Sequence, residues 1–265
     1  MVISSMQNDK IKYLRSLFKK KYRRQEGKIV LEGARLIEEA LQAEANLEDI
    51  FISPEAALTE ESYILAAARE AGINIHQVED ELLAKICETE NPQGILATAL
   101  MPGRPVSSLN VVSDGRYLAL DRVQDPGNLG TIVRTAAGAG YTAIIIIKGT
   151  VDPFNTKAIR ASMGGIFRIP LYSGTEEEAV KQLKGAGARI YVSDIREGAH
   201  NYFQVGFQQP FALVMGNEAN GVSGYLLEEA DTVVKIPQPG GIESLNVAIA
   251  AGILLYYSVF ANNRP

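Results

Sequence analysis

Ile236-Pro-Gln-Pro-Gly-Gly-Ile-Glu-Ser-Leu-Asn-Val-Ala-Ile-Ala-Ala-Gly-Ile-Leu-Leu-Tyr256 is the stretch on which the reading of this chain turns. It leaves a short β-branched run, Thr232 to Ile236, which predicts a buried strand. Pro237, Pro239, Gly240 and Gly241 then forbid any regular element and force a tight loop. Ser244 follows as an N-cap, and a helix is expected from Leu245 to Phe260. That helix is apolar nearly all round, which predicts burial. Its first turn holds Ser244 and Asn246, polar groups at a helix start, where free N–H groups suit a carboxylate or phosphate. Two readings fit: a capped core helix after a turn, or one wall of a ligand site.

The rest of the chain narrows the choice. Its 265 residues are 46% hydrophobic and 22% charged, as in an ordinary soluble protein of one large or two modest domains. No apolar run reaches the roughly 20 residues that span a bilayer, and the N-terminus lacks a signal-peptide layout. Cys87 is the single cysteine, and His76 and His200 are the only histidines. An intrachain disulfide and a cysteine-cluster metal are therefore excluded, and two histidines argue against a multi-histidine metal. These features predict a cytoplasmic protein, without metal or membrane, whose chemistry comes from other side chains or a bound cofactor.

The net charge of −5 is unevenly spread. Residues 1–28 carry nine Lys/Arg against Asp9 and Glu26, a net of +7, whereas residues 29–100 are net −12. A focused basic segment points to nucleic acid, because phosphate binding follows local cation density. Lys19, Lys20, Arg23 and Arg24 are the candidate RNA contacts. A solvated helix face is the alternative.

Alternating signals predict a compact α/β domain over residues 1–100. Its elements are a helix from Asp9 to Lys21, strands at 28–31, 47–52, 73–78 and 94–100, and helices at 35–45, 59–71 and 79–87. Residues 101–116, with Pro102, Gly103, Pro105 and Gly115, read as a linker. A second α/β domain, 117–265, opens with the strand Tyr117 to Arg122. It continues with a turn at Asp125-Pro-Gly, a helix from Asn128 or Leu129 to Ala139, and the strand 143–148. A helix at 155–163, a strand at 167–172, a helix at 175–184 and strands at 188–195 and 211–215 follow. Three loops, 124–130, 216–221 and 237–246, each leave an apolar strand, the place where α/β sheets bind ligands. A Rossmann fingerprint and a P-loop are both missing, and Ser223 and Ser244 lack a neighbouring histidine for a hydrolase triad.

Asn128-Leu-Gly-Thr-Ile-Val-Arg134, Met215-Gly-Asn-Glu-Ala-Asn-Gly221 and the Ile236–Gly252 stretch resemble, in order, the three motifs of the SpoU (TrmH-like) RNA 2′-O-ribose methyltransferases of the SPOUT superfamily. Lys28-Ile-Val-Leu-Glu-Gly33 resembles, more loosely, the L30e-like substrate-binding domain often joined to them. The resemblance implies a parallel sheet with a C-terminal trefoil knot, a homodimer, and S-adenosylmethionine bound around Met215, Gly216, Asn217, Ile236, Leu245 and Asn246. It implies catalytic roles for Arg134, Asn128, Glu218, Ser244 and Asn246. A guanidinium stays charged in proteins, so Arg134 is expected first as phosphate anchor and oxyanion stabiliser. Asn128 orients it or the ribose, and Glu218 orients the loop or Arg134. Ser244 and Asn246 bind the reacting oxygen, hold the knot loop, or simply cap the helix. Here Asn217 and Ala219 depart from the family's common loop pattern. Ribosomal RNA is the expected substrate. The competing readings are a transfer-RNA ribose methyltransferase, a base methyltransferase of a sister family, and an RNA-binding protein that has lost catalysis.

Overall fold

The computed structural model describes residues 2–58 and 62–260. In chain order the elements are α1 (Asp9–Ser16), α2 (Lys20–Glu26), β1 (Lys28–Glu32), α3 (Ala34–Gln42), β2 (Leu47–Ile52), α4 (Ser62–Glu70), β3 (Asn74–Gln77), α5 (Asp80–Ala84) and β4 (Ile95–Leu100). Then come β5 (Gly103–Pro105), β6 (Arg116–Leu120), α6 (Pro126–Gly138), β7 (Ala143–Ile147), α7 (Thr156–Ser162), α8 (Gly165–Arg168), β8 (Leu171–Gly174), α9 (Glu176–Gly185) and β9 (Arg189–Ser193). The chain closes with β10 (His200–Asn201), β11 (Phe211–Met215), α10 (Gly224–Glu228), β12 (Thr232–Lys235) and α11 (Val247–Phe260). The expected start of α4 at Thr59 lies outside the described residues.

Two compact units emerge. The first comprises residues 1–101 and 152–167, the second 102–151 and 168–265. In the first, a four-stranded sheet of order β1-β4-β2-β3 is antiparallel except at β2–β3. Ile11, Leu14 and Leu17 of the first helical segment are buried with Val30, Phe51, Val78, Leu82 and Leu96. The single helix expected from Asp9 to Lys21 is instead α1 and α2. The break has a cause: Arg23 reaches back from α2, and its Nη1 donates to the carbonyls of Leu17 and Phe18 at 3.1 and 2.6 Å. Those carbonyls would otherwise be orphans at a helix end. Helix α7 belongs to this unit, whereas its position in the sequence suggested the later domain. Arg23 Nη2 pairs with Asp152 at 2.6 Å, Arg160 with Glu32 at 3.3 Å, and Thr156 bonds to Glu88.

The second unit is built on an eight-stranded sheet of order β10-β12-β9-β11-β6-β7-β8-β5, in which every pairing is parallel. Strand β7, Ala143-Ile-Ile-Ile-Ile147, is buried along its whole length, as a parallel strand covered on both faces must be. The stretch read as a linker supplies β5, which pairs with β8, and Val106 and Leu109 of the core. Pro126 opens α6 two residues before the expected start. Asp125 caps it by accepting the Asn128 N–H at 2.7 Å, and proline suits the first helical position. The strand expected at 167–172 begins only at Leu171, because Gly165–Arg168 is helical. Strands β6, β9, β11 and β12 run the same way, so the loops that follow them emerge on one edge of the sheet.

Candidate active site

At that edge lies a cavity of about 480 Å³, within the size range of small-molecule sites. Its walls come from Ser193–Ile195 after β9, Met215–Gly221 after β11, and Lys235, Ile236, Gln238 and Glu243–Leu245 after β12, closed by Val247 and Ala250 of α11. Five of the expected cofactor residues, Met215, Gly216, Asn217, Ile236 and Leu245, line it, as do Glu218 and Ser244. Asn246, the sixth, stands outside the lining and has another task. Its Oδ1 accepts the N–H groups of Ala248 and Ile249 at 2.9 and 3.3 Å, so it is Asn246, not Ser244, that caps α11. Ser244 is exposed in the loop.

The polar groups beside the cavity form one chain. Asn246 Nδ2 donates to Asn128 Oδ1 at 3.0 Å, and Asn128 Nδ2 donates to Glu218 Oε1 at 3.1 Å. The second Glu218 oxygen accepts the Gln124 N–H at 3.3 Å. The three motifs are thus linked side chain to side chain. Both ends of the Asn128 amide are engaged, which fixes its orientation. Glu218 rides on a tight hairpin in which Asn217 and Gly221 exchange backbone bonds of 2.9 and 3.0 Å. Asn217 Oδ1 accepts the Ala219 and Asn220 N–H groups, both at 2.9 Å.

Gly216 is required by this hairpin. A Cβ added there would lie 2.5 Å from the Val222 nitrogen and against the Gly221 carbonyl. Its lack of a side chain therefore serves the fold of the loop, where the sequence suggested close approach to a ligand. The Gly240 position, by contrast, is open.

Arg134 stays apart from the network. It is exposed, and among the described residues its side chain makes no hydrogen bond or ion pair. It lies six residues after Asn128, roughly 9 Å along the helix. The cations of the first unit divide. Lys19, Lys20 and Arg24 are exposed, but Arg23 is 4% exposed and committed to Asp152 and two carbonyls. The expectation that Arg23 grips phosphate is corrected: its charge is already paired inside the fold.

Sequence reasoning passed over Asp121 and Arg122 at the end of β6. Asp121 is buried, and Arg122 Nε and Nη2 donate to its two oxygens at 3.0 Å each. The carboxylate raises the Arg122 pKa above its ordinary value. The only signal was an acid at the carboxyl end of an apolar strand, just before a Pro-Gly loop.

Fold and site together define an α/β protein that holds a small ligand at the carboxyl ends of parallel strands, beside a fixed Asn–Asn–Glu network. The chain belongs to the SpoU rRNA Methylase family, which it matches over residues 115–256, and residues 8–97 match the MRM3-like substrate binding domain. It is 36% identical over 255 residues to the 23S rRNA (guanosine(2553)-2′-O)-methyltransferase RlmP of Bacillus subtilis, covering 96% of this chain and 98% of that protein. It is 31% identical over 290 residues to the human mitochondrial rRNA methyltransferase 3, covering 89% of this chain and 68% of the relative. A crystal structure of an AdoMet-bound rRNA methyltransferase from Sinorhizobium meliloti matches with a TM-score of 0.87 and 31% identity, over 100% of this chain and 99% of that one.

Proposed function

We propose that this chain transfers a methyl group from S-adenosylmethionine to a ribose 2′-oxygen of ribosomal RNA. The observation that carries the reading is the cavity whose wall residue Glu218 is tied to Asn128 and, through it, to Asn246. The residues present fit the cofactor. Met215, Ile236 and Leu245 offer apolar surface for an adenine ring, and Asp194 and Glu243 offer carboxylates to a molecule carrying an ammonium and a sulfonium. When bound, S-adenosylmethionine supplies the electrophilic methyl.

The chain's own residues do the rest. Bringing the 2′-oxygen into line is worth several kcal/mol of barrier by orientation alone. Asn128, held at both ends, is a rigid group for orienting the ribose. Arg134, with every donor free of protein partners among the described residues, anchors the target phosphate and stabilises the developing oxyanion. Lys19, Lys20 and Arg24 add phosphate contacts from the first unit.

The working form in this reading is a cytoplasmic homodimer. Support comes from α11, whose apolar side chains Ile249, Tyr256 and Phe260 are 57%, 45% and 58% exposed and line up at helical spacing. The helix expected to be buried all round leaves this face uncovered among the described residues. A trefoil knot is part of the same reading. Strand β12 pairs beyond β9, while α11, across the 236–246 loop, returns to pack on α6 and β11. The test is transfer of labelled methyl to ribosomal RNA transcripts, followed by nuclease digestion and mass spectrometry. Label on a ribose supports the reading, label on a base assigns a different reaction, and no label in a cofactor-binding protein removes it.

A further inference from the structure

Arg122 occupies a backbone conformation that an arginine does not choose. Its φ is 56°, in the left-handed region where glycine and asparagine are at home and other side chains incur strain. Such strain persists only where the surroundings over-determine it. Here they do so from both ends of the residue. The guanidinium turns back onto Asp121 with two bonds of 3.0 Å. The carbonyl accepts from Asn217 Nδ2 and from Gln124 Nε2, each at 2.8 Å. Asp121, 1% exposed, spends its Oδ2 also on the Ser223 N–H at 2.8 Å. Asn217 is one foot of the hairpin that carries Glu218, and Ser223 lies just past the other foot. Without the guanidinium, Asp121 would be a buried charge with no cation, which is costly.

We propose that Asp121 and Arg122 are a positioning pair that clamps both feet of the 217–221 hairpin and so holds Glu218 on Asn128. Arg122 does not wall the cavity; it acts through Asn217, Ser223 and Glu218. The consequence for catalysis rests on the methyl-transfer reading of the site, but the clamp itself does not.

The test uses the whole protein and two variants. Arg122→Asn removes the guanidinium, keeps the carbonyl and suits the left-handed backbone. Arg122→Lys keeps the charge. Hydrogen exchange at the Asn217, Gly221 and Ser223 amides is expected to speed up on the order of tenfold in Arg122→Asn, with β7 unchanged and partial recovery in Arg122→Lys. Under saturating RNA and cofactor, kcat is expected to fall on the order of tenfold; the thermal midpoint drops as well, because Asp121 loses its cation, and the cofactor KM rises with the loosened cavity wall. A residue serving stability alone would lower the midpoint and spare kcat. Unchanged exchange at the hairpin overturns the clamp, and faster exchange with wild-type kcat overturns its positioning role in catalysis. Wild-type protein that transfers no methyl contradicts the methyl-transfer reading instead, and the exchange rates then decide the clamp by themselves.

Discussion

Arg23 and Arg134 look alike on paper, each an arginine on a helix in a segment that suggests RNA. The folded chain treats them oppositely. Arg23 is buried, ends α1 with its donors and pairs with Asp152 at 2.6 Å. Arg134 is exposed on α6 with no partner among the described residues. An arginine whose terminal nitrogens are taken up by the fold stabilises it, and one whose donors are unused is available to a substrate. The contrast extends to the units that hold them. The basic segment is partly structural: Arg23 is spent inside the fold, while Lys19, Lys20 and Arg24 stay exposed.

The largest effect should follow from Arg23→Ala. It strands Asp152 and two helix-end carbonyls, and removing one partner of a buried pair costs about 3–5 kcal/mol. Urea unfolding should show that loss, while the salt dependence of RNA binding by the folded protein stays put. A changed salt slope with unchanged stability would reverse the roles assigned to the two arginines. Arg134→Ala should do the converse. Single-turnover methylation should drop at least about a hundredfold, roughly 2.7 kcal/mol, with cofactor affinity within a few-fold and stability intact. Arg134→Lys should recover little, because an ammonium lacks the planar two-pronged donor. Near-normal turnover in Arg134→Ala would move suspicion to Glu218.

Gly216→Val should weaken S-adenosylmethionine binding at least about tenfold, 1.4 kcal/mol. The route is displacement of the hairpin, since the new Cβ meets Gly221 and Val222 backbone. Calorimetry reads the affinity and amide exchange reads the hairpin. Lost affinity over an undisturbed hairpin would restore direct approach of Gly216 to the ligand. Asn246→Ala should cost about 1 kcal/mol of stability as a lost cap, together with a fall in turnover from a freed Asn128 amide. Full turnover in that variant would reduce Asn246 to capping alone.

The sequence made the strand-and-loop order of the second unit legible apart from β5 and β10, because apolar runs such as Ile144–Ile147 and punctuation by Pro and Gly depend only on neighbours. It also drew the three motif loops to one place, since successive loops after parallel strands share an edge. Tertiary choices were not legible. Nothing local in Thr156–Ser162 says which unit it joins; that is settled by Arg160 meeting Glu32. The break between α1 and α2 is set by Arg23 folding back on Leu17 and Phe18. The apolar ring of α11 does not distinguish a core helix from one with a face left for a partner. The hairpin clamp was hidden because the φ of Arg122 and the reach of Asn217 exist only in the folded loop. The cap at Asn246 was read two residues early, at Ser244, because both are good capping residues and only geometry separates them.

One measurement bears most directly on the central claim: a map of ribose methylation across all ribosomal RNA from cells with and without the gene. The account predicts that a discrete 2′-O-methyl mark disappears with the gene and returns with the wild-type chain, but not with Arg134→Ala. An unchanged ribose-methylation map in cells that have lost the gene would contradict it.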